Sequence, residues 1–504
     1  MQLNAKLDTE QLSISEIINL LTVKKVVNYH EYKIVKISND SREVVENSLF
    51  VAIVGYKTDG HNYIQEAIEN GVKVIVGEKD ISVPGEITYI QVENSRRALA
   101  KLARRFFNYP DRAFKLIGVT GSAGKTSTSF MIDKIIKETE KKTGLIGTLY
   151  TKIGDEICNN PLGCTTPDAI TLNQSLAKMY NQGVDYVSME VSSHALKLDR
   201  VYGIEFDVGI FTNLSDDHLN FHENKEDYYQ SKELLFANLS KDKVAILNKD
   251  DTYYDKFKQS TSARVYSYGI TNKADITAEN IILSRTGIEF ELHINRAITT
   301  KNGNLIKPTS IRLNLPLLGK QNVYNALAAF LAAAVLDISF TDIKEGLNSF
   351  SGVERRMELV YNDKFMVIDD FAHNPISLES NFKTLQQFNY NKLVIIHFLK
   401  GKRGVEANRL NAKLFSDWSD KIKLKKLITT TARTEVIDKN KVLPEEEQAF
   451  NQQLEGNRIE VKNTEYLKDA INEGLASVGP GDILLLLGGP GLDRAQEIIK
   501  ARLS

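Results

Sequence analysis

From Gly118 to Ser129 the chain reads GVTGSAGKTSTS. A Gly-Lys pair followed by two hydroxyl residues can hold a polyphosphate. Backbone N–H groups of a glycine-bearing turn converge on an anion, and the N-terminus of a following helix adds partial positive charge. Lys125 has the reach for terminal phosphates, and the Thr126 hydroxyl can ligate Mg²⁺. Gly121, Ser122, Ala123, Gly124 and Ser127 complete the loop. In the common pattern a glycine stands about six residues before the lysine. Val119 occupies that place here, flanked by Gly118 and Gly121. A turn that merely joins strand to helix has no need of Gly-Lys-Thr-Ser. The stretch predicts nucleotide binding and leaves the reaction open.

Three polar residues lie where neighbouring strands are predicted to end. Glu190 closes VDYVSMEV, His194 follows it, and His218 stands in FTNLSDDHLNFH. Open α/β sheets bind ligands at the C-terminal ends of their strands, so these residues are candidates for holding a metal. Lys232 is unusual in a different way. In KEDYYQSKELLFANL it shares a helical face with Tyr228, Leu235 and Leu239. A lysine on an apolar stripe ordinarily snorkels to water. The alternative is that its charge is needed, or chemically altered, near the phosphates.

The elements that position these residues form an α/β pattern. SLFVAIVG and GVKVIVGE read as buried strands around the helical HNYIQEAIEN, making a first unit that ends at the turn Asn108–Asp111. FKLIGVT, KTGLIGT, VDYVSMEV, FDVGIFTNL and KVAILN then alternate with helices, which predicts a mostly parallel sheet covered by helices. A helix is predicted over 322–336, with Val323, Leu327, Phe330, Leu331 and Ala334 on one stripe. After a loop region from about Gly346 to Gly352, KFMVIDDFA, NKLVIIHFL, KKLITTT and DILLLLGG predict a third α/β unit. The expected domains are 1–111, 112–351 and 352–504, in keeping with about 150 residues per domain over 504 residues.

Composition narrows the class. The chain is 42% hydrophobic and 26% charged, ordinary for a soluble globular protein. Its net charge of −1 gives no basis for a nucleic-acid or membrane surface. Two cysteines, Cys158 and Cys164, are too few for a disulfide framework or a zinc site. The first residues, MQLNAKLDTEQ, lack the pattern of a signal peptide. The longest apolar run, ALAAFLAAAVL, is too short to span a bilayer. The expectation is a cytoplasmic enzyme, monomeric, with no nucleic-acid or membrane partner.

GVTGSAGKTSTS, TTPD, EVSSHAL with Arg200, TNLSDDHLNFH, YYQSKELLF, LGKQNVYNALAA and IDDFAHNP, in this order, resemble the Mur ligases, which build peptidoglycan stem peptides with ATP. DSREVVENSLFVAIVGYKTDGHNYI, Asp40 to Ile64, resembles the uridine-binding domain of the MurE branch, which adds the third residue of the stem. The resemblance implies a three-domain α/β architecture with a central P-loop-type sheet and a Rossmann-like C-terminal domain. It implies an ATP-dependent ligase that adds an amino acid to UDP-N-acetylmuramoyl-L-Ala-D-Glu through an acyl phosphate. Lys125 and Thr126 would then hold the β/γ-phosphates and Mg²⁺ with Glu190, and His218 would help bind a second Mg²⁺. Lys232 matches a lysine carried as a carbamate, N6-carboxylysine, formed with carbon dioxide. Asn322 would contact the adenine side, Asp370 the ribose, and Arg356 and His373 the nucleotide. Ser41, Thr165, Thr166, Ser192 and Arg200 would contact the UDP-linked muramoyl peptide. Closure about the segment near Gly352 is a further expectation.

The third domain departs from the family pattern. A DNPR motif marks the diaminopimelate-adding members; here the stretch is ITTTARTE, which keeps only Arg433. A guanidinium suits the incoming amino acid's α-carboxylate, but the missing Asp and Asn remove acceptors for a distal ammonium. GGPGLD, Gly488 to Asp493, replaces the family's GKGHE, and FLKGKRGVEANR, Phe398 to Arg409, lacks the usual glycine-rich acidic pattern. Either these loops have drifted while the specificity stayed put, or the chain takes an amino acid other than diaminopimelate, which is the reading favoured here. Another acceptor, as in a pseudomurein-type or secondary-metabolite peptide ligase, is the alternative. Folylpolyglutamate synthases share the middle fold but not the uridine-type domain. A P-loop kinase would not need IDDFAHNP, and a non-catalytic regulator would not require Lys125, Glu190, His218 and Lys232.

Overall fold

The structure is a computed structural model and describes residues 11–55, 58–159, 164–215 and 221–503. The chain divides into two compact units: residues 1–276 with 295–307 and 327–346, and residues 277–294 with 308–326 and 347–504.

The first unit opens with a sheet of five strands in the order Val23–Val27, Thr88–Val92, Val74–Gly77, Ser48–Val51, Lys36–Ser38. The first pair is antiparallel and the others parallel. SLFV and VIVG are buried at every position, because helices or loops cover both faces. Helix Ser95–Phe106 turns Leu99, Leu102, Ala103 and Phe106 inward and carries four arginines on its other side. Its N-cap, Asn94, accepts from the Arg97 amide.

The second sheet of this unit carries the site. Strands Arg264–Gly269, Val244–Asn248, Val208–Phe211, Lys115–Thr120, Tyr186–Glu190 and Thr143–Ile146 lie side by side in that order, all parallel. Tyr150–Ile153 and Glu156–Asn159 extend it antiparallel. Lys115–Thr120 comes first in the chain but sits in the middle. The chain crosses from one side of it to the other between Tyr186–Glu190 and Val208–Phe211, so its C-terminal end is a topological switch point, where such sheets hold ligands. Register sets Glu190 beside Val119 and Phe211 beside Thr120. The phosphate loop therefore leaves its strand between these two neighbours.

In the second unit, strands Glu358–Asn362, Met366–Asp370, Ile483–Leu487, Leu393–Phe398, Leu424–Thr430 and Glu460–Thr464 form one sheet in that order. Only the first pair is antiparallel. ILLLL and LVIIHF are wholly buried between helices such as Val405–Trp418 and Leu467–Ala476. Ile288–Ile294 and Thr309–Leu315 pair antiparallel. The sequence reading missed them: IEFELHI alternates buried and partly exposed residues, as a one-face strand does, whereas the strands it found are continuous apolar runs. The predicted helix over 322–336 is observed as Gln321–Val335. The segment leading into the C-terminal sheet is conformationally unusual, with left-handed backbone at Gly352 (φ 105°), Arg355 (φ 56°) and Met357 (φ 51°). Among the described residues no helix is long and apolar enough to cross a membrane.

Candidate active site

The loop between strand Lys115–Thr120 and helix Lys125–Lys137 has a shape only glycine permits at Gly121. Its φ is +149°, and a β-carbon there would stand 1.9 Å from Thr212 Oγ1. Gly124, φ +86°, begins the helix. The loop is braced from the next strand end. The Ser122 amide donates to the Asn213 carbonyl at 2.8 Å, the Ala123 amide to Asn213 Oδ1 at 3.0 Å, and the Thr212 hydroxyl to the Ala123 carbonyl at 2.7 Å. Ser215 N–H and the Tyr228 hydroxyl both meet Ser122 Oγ. Ser127 lies half-buried in the first helical turn.

Two lysines converge on this loop. Lys125 Nζ donates to the carbonyls of Gly121 (2.9 Å) and Ser122 (3.0 Å). Lys232 Nζ donates to the same Gly121 carbonyl at 2.9 Å and lies 4.5 Å from the centre of the Tyr228 ring. Lys232 is 1% exposed, on the face of helix Lys225–Ala237 that also buries Tyr228 and Leu235. The snorkelling expected of it by default does not occur: a carbonyl 111 residues away supplies the partner.

Glu190, 1% exposed, ends its strand beside the loop. Thr126 Oγ1 donates to its Oε2 at 3.0 Å, Thr148 N–H to its Oε1 at 2.9 Å, and the Thr148 hydroxyl lies 3.1 Å from both Oε2 and Thr165 Oγ1. Gly147 leaves the room, since a β-carbon there would come within 2.5 Å of Oε1. The network continues. Thr166 Oγ1 donates to the Glu190 carbonyl at 2.8 Å and accepts from Ser192 N–H at 3.0 Å, while Arg200 Nη1 donates to the Thr166 carbonyl at 2.8 Å. The structure thus joins Thr126, Glu190, Thr165, Thr166, Ser192 and Arg200 in one hydrogen-bonded chain. Thr148 is central to it, and Asn213 braces the phosphate loop; both escaped the sequence reading, although both stand in stretches it had singled out.

The donors fit a hard divalent cation. Among the described residues no Lys, Arg or His pairs with buried Glu190, and its neighbours are hydroxyl oxygens, the ligand type Mg²⁺ prefers. The described residues contain no cluster of three or more His, Cys, Asp or Glu that could hold a metal; His218 lies outside the described residues. His194 stacks on Phe221, ring centres 3.8 Å apart. Ser41 is separate: its hydroxyl donates to Glu66 at 2.6 Å, and among the described residues no hydrogen bond links it to the network.

The second unit gathers another set. Asp370 accepts from Met357 N–H at 2.7 Å and Ala372 N–H at 2.8 Å. Arg356 lies over the Phe371 ring at 5.2 Å, and His373 Nδ1 is 2.9 Å from the Phe371 carbonyl. Burial holds the His373 imidazole well below its usual range, and the charges of Lys400 and Arg403 push the same way. Lys400 is itself lowered to about 8 by burial, then by Arg403 and Lys439. The GKRG loop after it is fixed by buried Glu446, which accepts from the amides of Lys402, Arg403, Gly404 and Leu443. Asn322 donates to the Leu318 carbonyl. Arg433 is exposed and paired with Glu465 at 3.3 Å.

A glycine loop at a sheet switch point, with a helix N-terminus, a lysine and a buried carboxylate around it, defines a nucleotide-phosphate-binding α/β enzyme. Residues 119–333 match the Mur ligase middle domain, 355–489 the Mur ligase glutamate ligase domain, and 33–107 the Mur ligase family catalytic domain. The chain belongs to the Mur ligase family, whose members are ATP-dependent amide ligases. It is 41% identical over 400 residues to a UDP-N-acetylmuramoyl-L-alanyl-D-glutamate–2,6-diaminopimelate ligase of Bacillus velezensis, covering 78% of each chain. It is 35% identical over 488 residues to the protein of that name from Lactiplantibacillus plantarum, covering 95% of this chain and 93% of the relative. A solved structure described by the same activity superposes with a TM-score of 0.68 at 24% identity, covering 98% of this chain and all of the other. A folylpolyglutamate synthase of Mycobacterium tuberculosis covers 79% of this chain, with a TM-score of 0.61 and 15% identity.

Proposed function

We propose that this chain joins an amino acid to UDP-N-acetylmuramoyl-L-Ala-D-Glu, as a cytoplasmic, monomeric ligase of peptidoglycan precursor synthesis. The observation that carries the reading is the hydrogen-bonded chain centred on Glu190. Through it Glu190 links both sides: its carboxylate meets the phosphate-loop residue Thr126 and, by way of Thr148, Thr165, while its carbonyl meets Thr166, which also bonds Ser192 and Arg200. Phosphoryl donor and carboxylate acceptor are thereby brought to adjoining sites. In this reading domains 1–111, 112–351 and 352–504 handle the UDP substrate, ATP and the amino acid.

A carboxylate acylates poorly because oxide is a poor leaving group. Transfer of the ATP γ-phosphoryl group gives an acyl phosphate and ADP. The amine then attacks the acyl carbon, and the tetrahedral intermediate collapses to amide and inorganic phosphate. Such transfer depends on positioning and charge neutralisation. Lys125 and the loop amides hold the β/γ-phosphates. Thr126 and Glu190, with His218 and Lys232, would hold Mg²⁺, which neutralises phosphate charge when bound. Lys232, carried as a carbamate formed with carbon dioxide, would present oxygens instead of an ammonium. Asn322, Asp370, Arg356 and His373 contact the nucleotide, and Ser41 the UDP moiety.

The amino acid lacks the distal ammonium of diaminopimelate in this reading. Three carboxylates at or beside the third domain's loops are already engaged: Glu446 by four amides, Glu465 by Arg433, Asp493 by Arg355. Lys400 and Arg433 favour an anionic or neutral group. Phosphate release with ATP, Mg²⁺, bicarbonate and UDP-N-acetylmuramoyl-L-Ala-D-Glu across a panel of amino acids tests both points. Release that requires the acceptor and one amino acid supports the ligase and names its specificity. Release only with diaminopimelate overturns the specificity, and no release with any amino acid overturns the acceptor.

A further inference from the structure

The Arg355–Arg356 pair divides its labour in a way the reaction above does not use. Both guanidiniums lie at the Phe371 ring, Arg356 5.2 Å and Arg355 5.1 Å from its centre, but Arg355 is 5% exposed and spends its donors on other elements. Three of the five N–H donors of its guanidinium reach the loop Gly488–Asp493. Nη2 donates to the Gly488 carbonyl at 2.6 Å, Nη1 to the Gly489 carbonyl at 3.0 Å, and Nη1 also to the Asp493 carboxylate. Nε donates to Asp369 at 3.3 Å. Its backbone faces the nucleotide side, where the Arg355 carbonyl accepts from Phe371 N–H at 2.9 Å and from Arg356 Nη1 at 3.1 Å.

The loop it grips is held besides by the Gly488 N–H, which donates to the Asp370 carbonyl at 3.2 Å, and by close packing. A β-carbon at Gly488 would stand 2.6 Å from Phe398 Cβ, and one at Gly491 would stand 2.3 Å from the Phe398 ring. The glycines let the loop lie flat on Phe398, and that leaves its carbonyls to be satisfied from the other side. Arg355 does this from a left-handed backbone, φ 56°, that a β-carbon disfavours. A strained residue persists where its surroundings over-determine it, and a planar fork with five donors is suited to two carbonyls and two carboxylates at once.

We propose that Arg355 is a positioning residue that locks the Gly488–Asp493 loop to the Arg356–Phe371 nucleotide platform and so sets the affinity for the incoming amino acid. The role rests on the ligase reading given above, in which this loop borders the amino acid. It also accounts for Asp493, a carboxylate in a loop near the amine that is unavailable to a cationic side chain because Arg355 holds it.

The test uses Arg355→Lys, which keeps the charge but loses the fork, and Asp493→Asn, which removes the partly exposed partner and leaves the buried ones. In the full-length protein, hydrogen exchange of the 488–493 amides is measured alongside phosphate-release kinetics with each substrate varied in turn. Both variants are expected to exchange faster in this loop and to raise KM for the amino acid about tenfold, with kcat at saturation and KM for the UDP acceptor within about threefold of wild type. Unchanged exchange in both variants overturns the latch whatever the activity. Faster exchange with unchanged amino-acid KM, or with kcat and every KM altered together, overturns its role in amino-acid binding. If the protein releases no phosphate with any amino acid, the ligase reading has failed, while the exchange result still decides the latch. Should Arg355→Lys not fold, Asp493→Asn decides alone.

Discussion

Replacing Lys232 separates its part in chemistry from its part in folding. Its ammonium donates a charged hydrogen bond to the Gly121 carbonyl at 2.9 Å and lies 4.5 Å from the Tyr228 ring centre. A hydrogen bond to a charged group contributes about 1.5–3 kcal/mol net, and a desolvated cation–π contact about 2 kcal/mol. Against these stands the burial of an ammonium, which costs several kcal/mol. The terms nearly cancel. Lys232→Met, which fills the same channel along Tyr228 and Leu235, should therefore shift stability by no more than about 2 kcal/mol, or roughly 4–8 °C in Tm. Activity has no such cancellation. Loss of one group that stabilises charge in the transition state lowers kcat by about 10²–10³. The assay is phosphate release at saturating substrates, with differential scanning fluorimetry on the same preparations. A short carboxylic acid added to Lys232→Ala should restore part of the turnover if the carbamate is the working form; Lys232→Met, with no space left, should not respond. Turnover of Lys232→Met within about threefold of wild type would refute the placing of Lys232 in the machinery.

The remaining predictions concern the loop, the carboxylate and Lys400. Glu190→Gln keeps the volume but removes the one buried charge between Thr126 and Thr148; phosphate release should fall by about 10²–10³, and an unaltered rate at any Mg²⁺ concentration would sink the metal assignment. Gly121→Ala places a β-carbon 1.9 Å from Thr212 Oγ1, so ADP binding measured by equilibrium dialysis should be lost, and retention of wild-type affinity would show that the loop can be rebuilt. Lys400 has a folded-state pKa of about 8 against an ordinary 10.5. The unfolded chain binds the proton more tightly, so stability relative to Lys400→Met should rise as pH climbs from about 8 towards 10.5. Denaturation midpoints across that range test it, and a flat difference would mean that Lys400 is not buried among cations.

What the sequence reveals depends on how local the cause is. The phosphate loop is legible because everything it needs is contiguous: strand, glycines, lysine and helix lie within Lys115–Lys137. Glu190 is legible as the end of an apolar strand. Thr148 is not, because a threonine after Gly147 acquires meaning only when register brings Thr143–Ile146 against Tyr186–Glu190. Lys232 could be picked out by its place on an apolar stripe, yet the choice between snorkelling and burial lay with a carbonyl 111 residues away. The strands over 276–315 were missed because a one-face strand alternates, and alternation over seven residues such as IEFELHI is a weaker signal than a run such as ILLLL.

The same distinction separates chemistry from specificity in this enzyme. The residues proposed to handle phosphate sit in short motifs whose geometry follows from backbone constraints on a few neighbours, so a change at Gly121 or Gly124 breaks the loop itself. The residues proposed for the amino-acid side act through partners far along the chain: Glu446 shapes the loop after Lys400, and Arg355 holds carbonyls more than 130 residues away. A specificity built from such pairings can be altered by substitutions that leave the phosphate loop untouched. That is the pattern here, where the central motifs keep the family's form while the loops at 398–409, 428–435 and 488–493 do not. Arg433 alone, exposed and paired with Glu465, cannot define a side chain. In the proposed reading the selection comes from half-buried Lys400 and buried Arg355, and substitutions there should therefore change which amino acid is taken more than substitution of Arg433 does, a ranking that competition between amino acids in the phosphate-release assay reads directly.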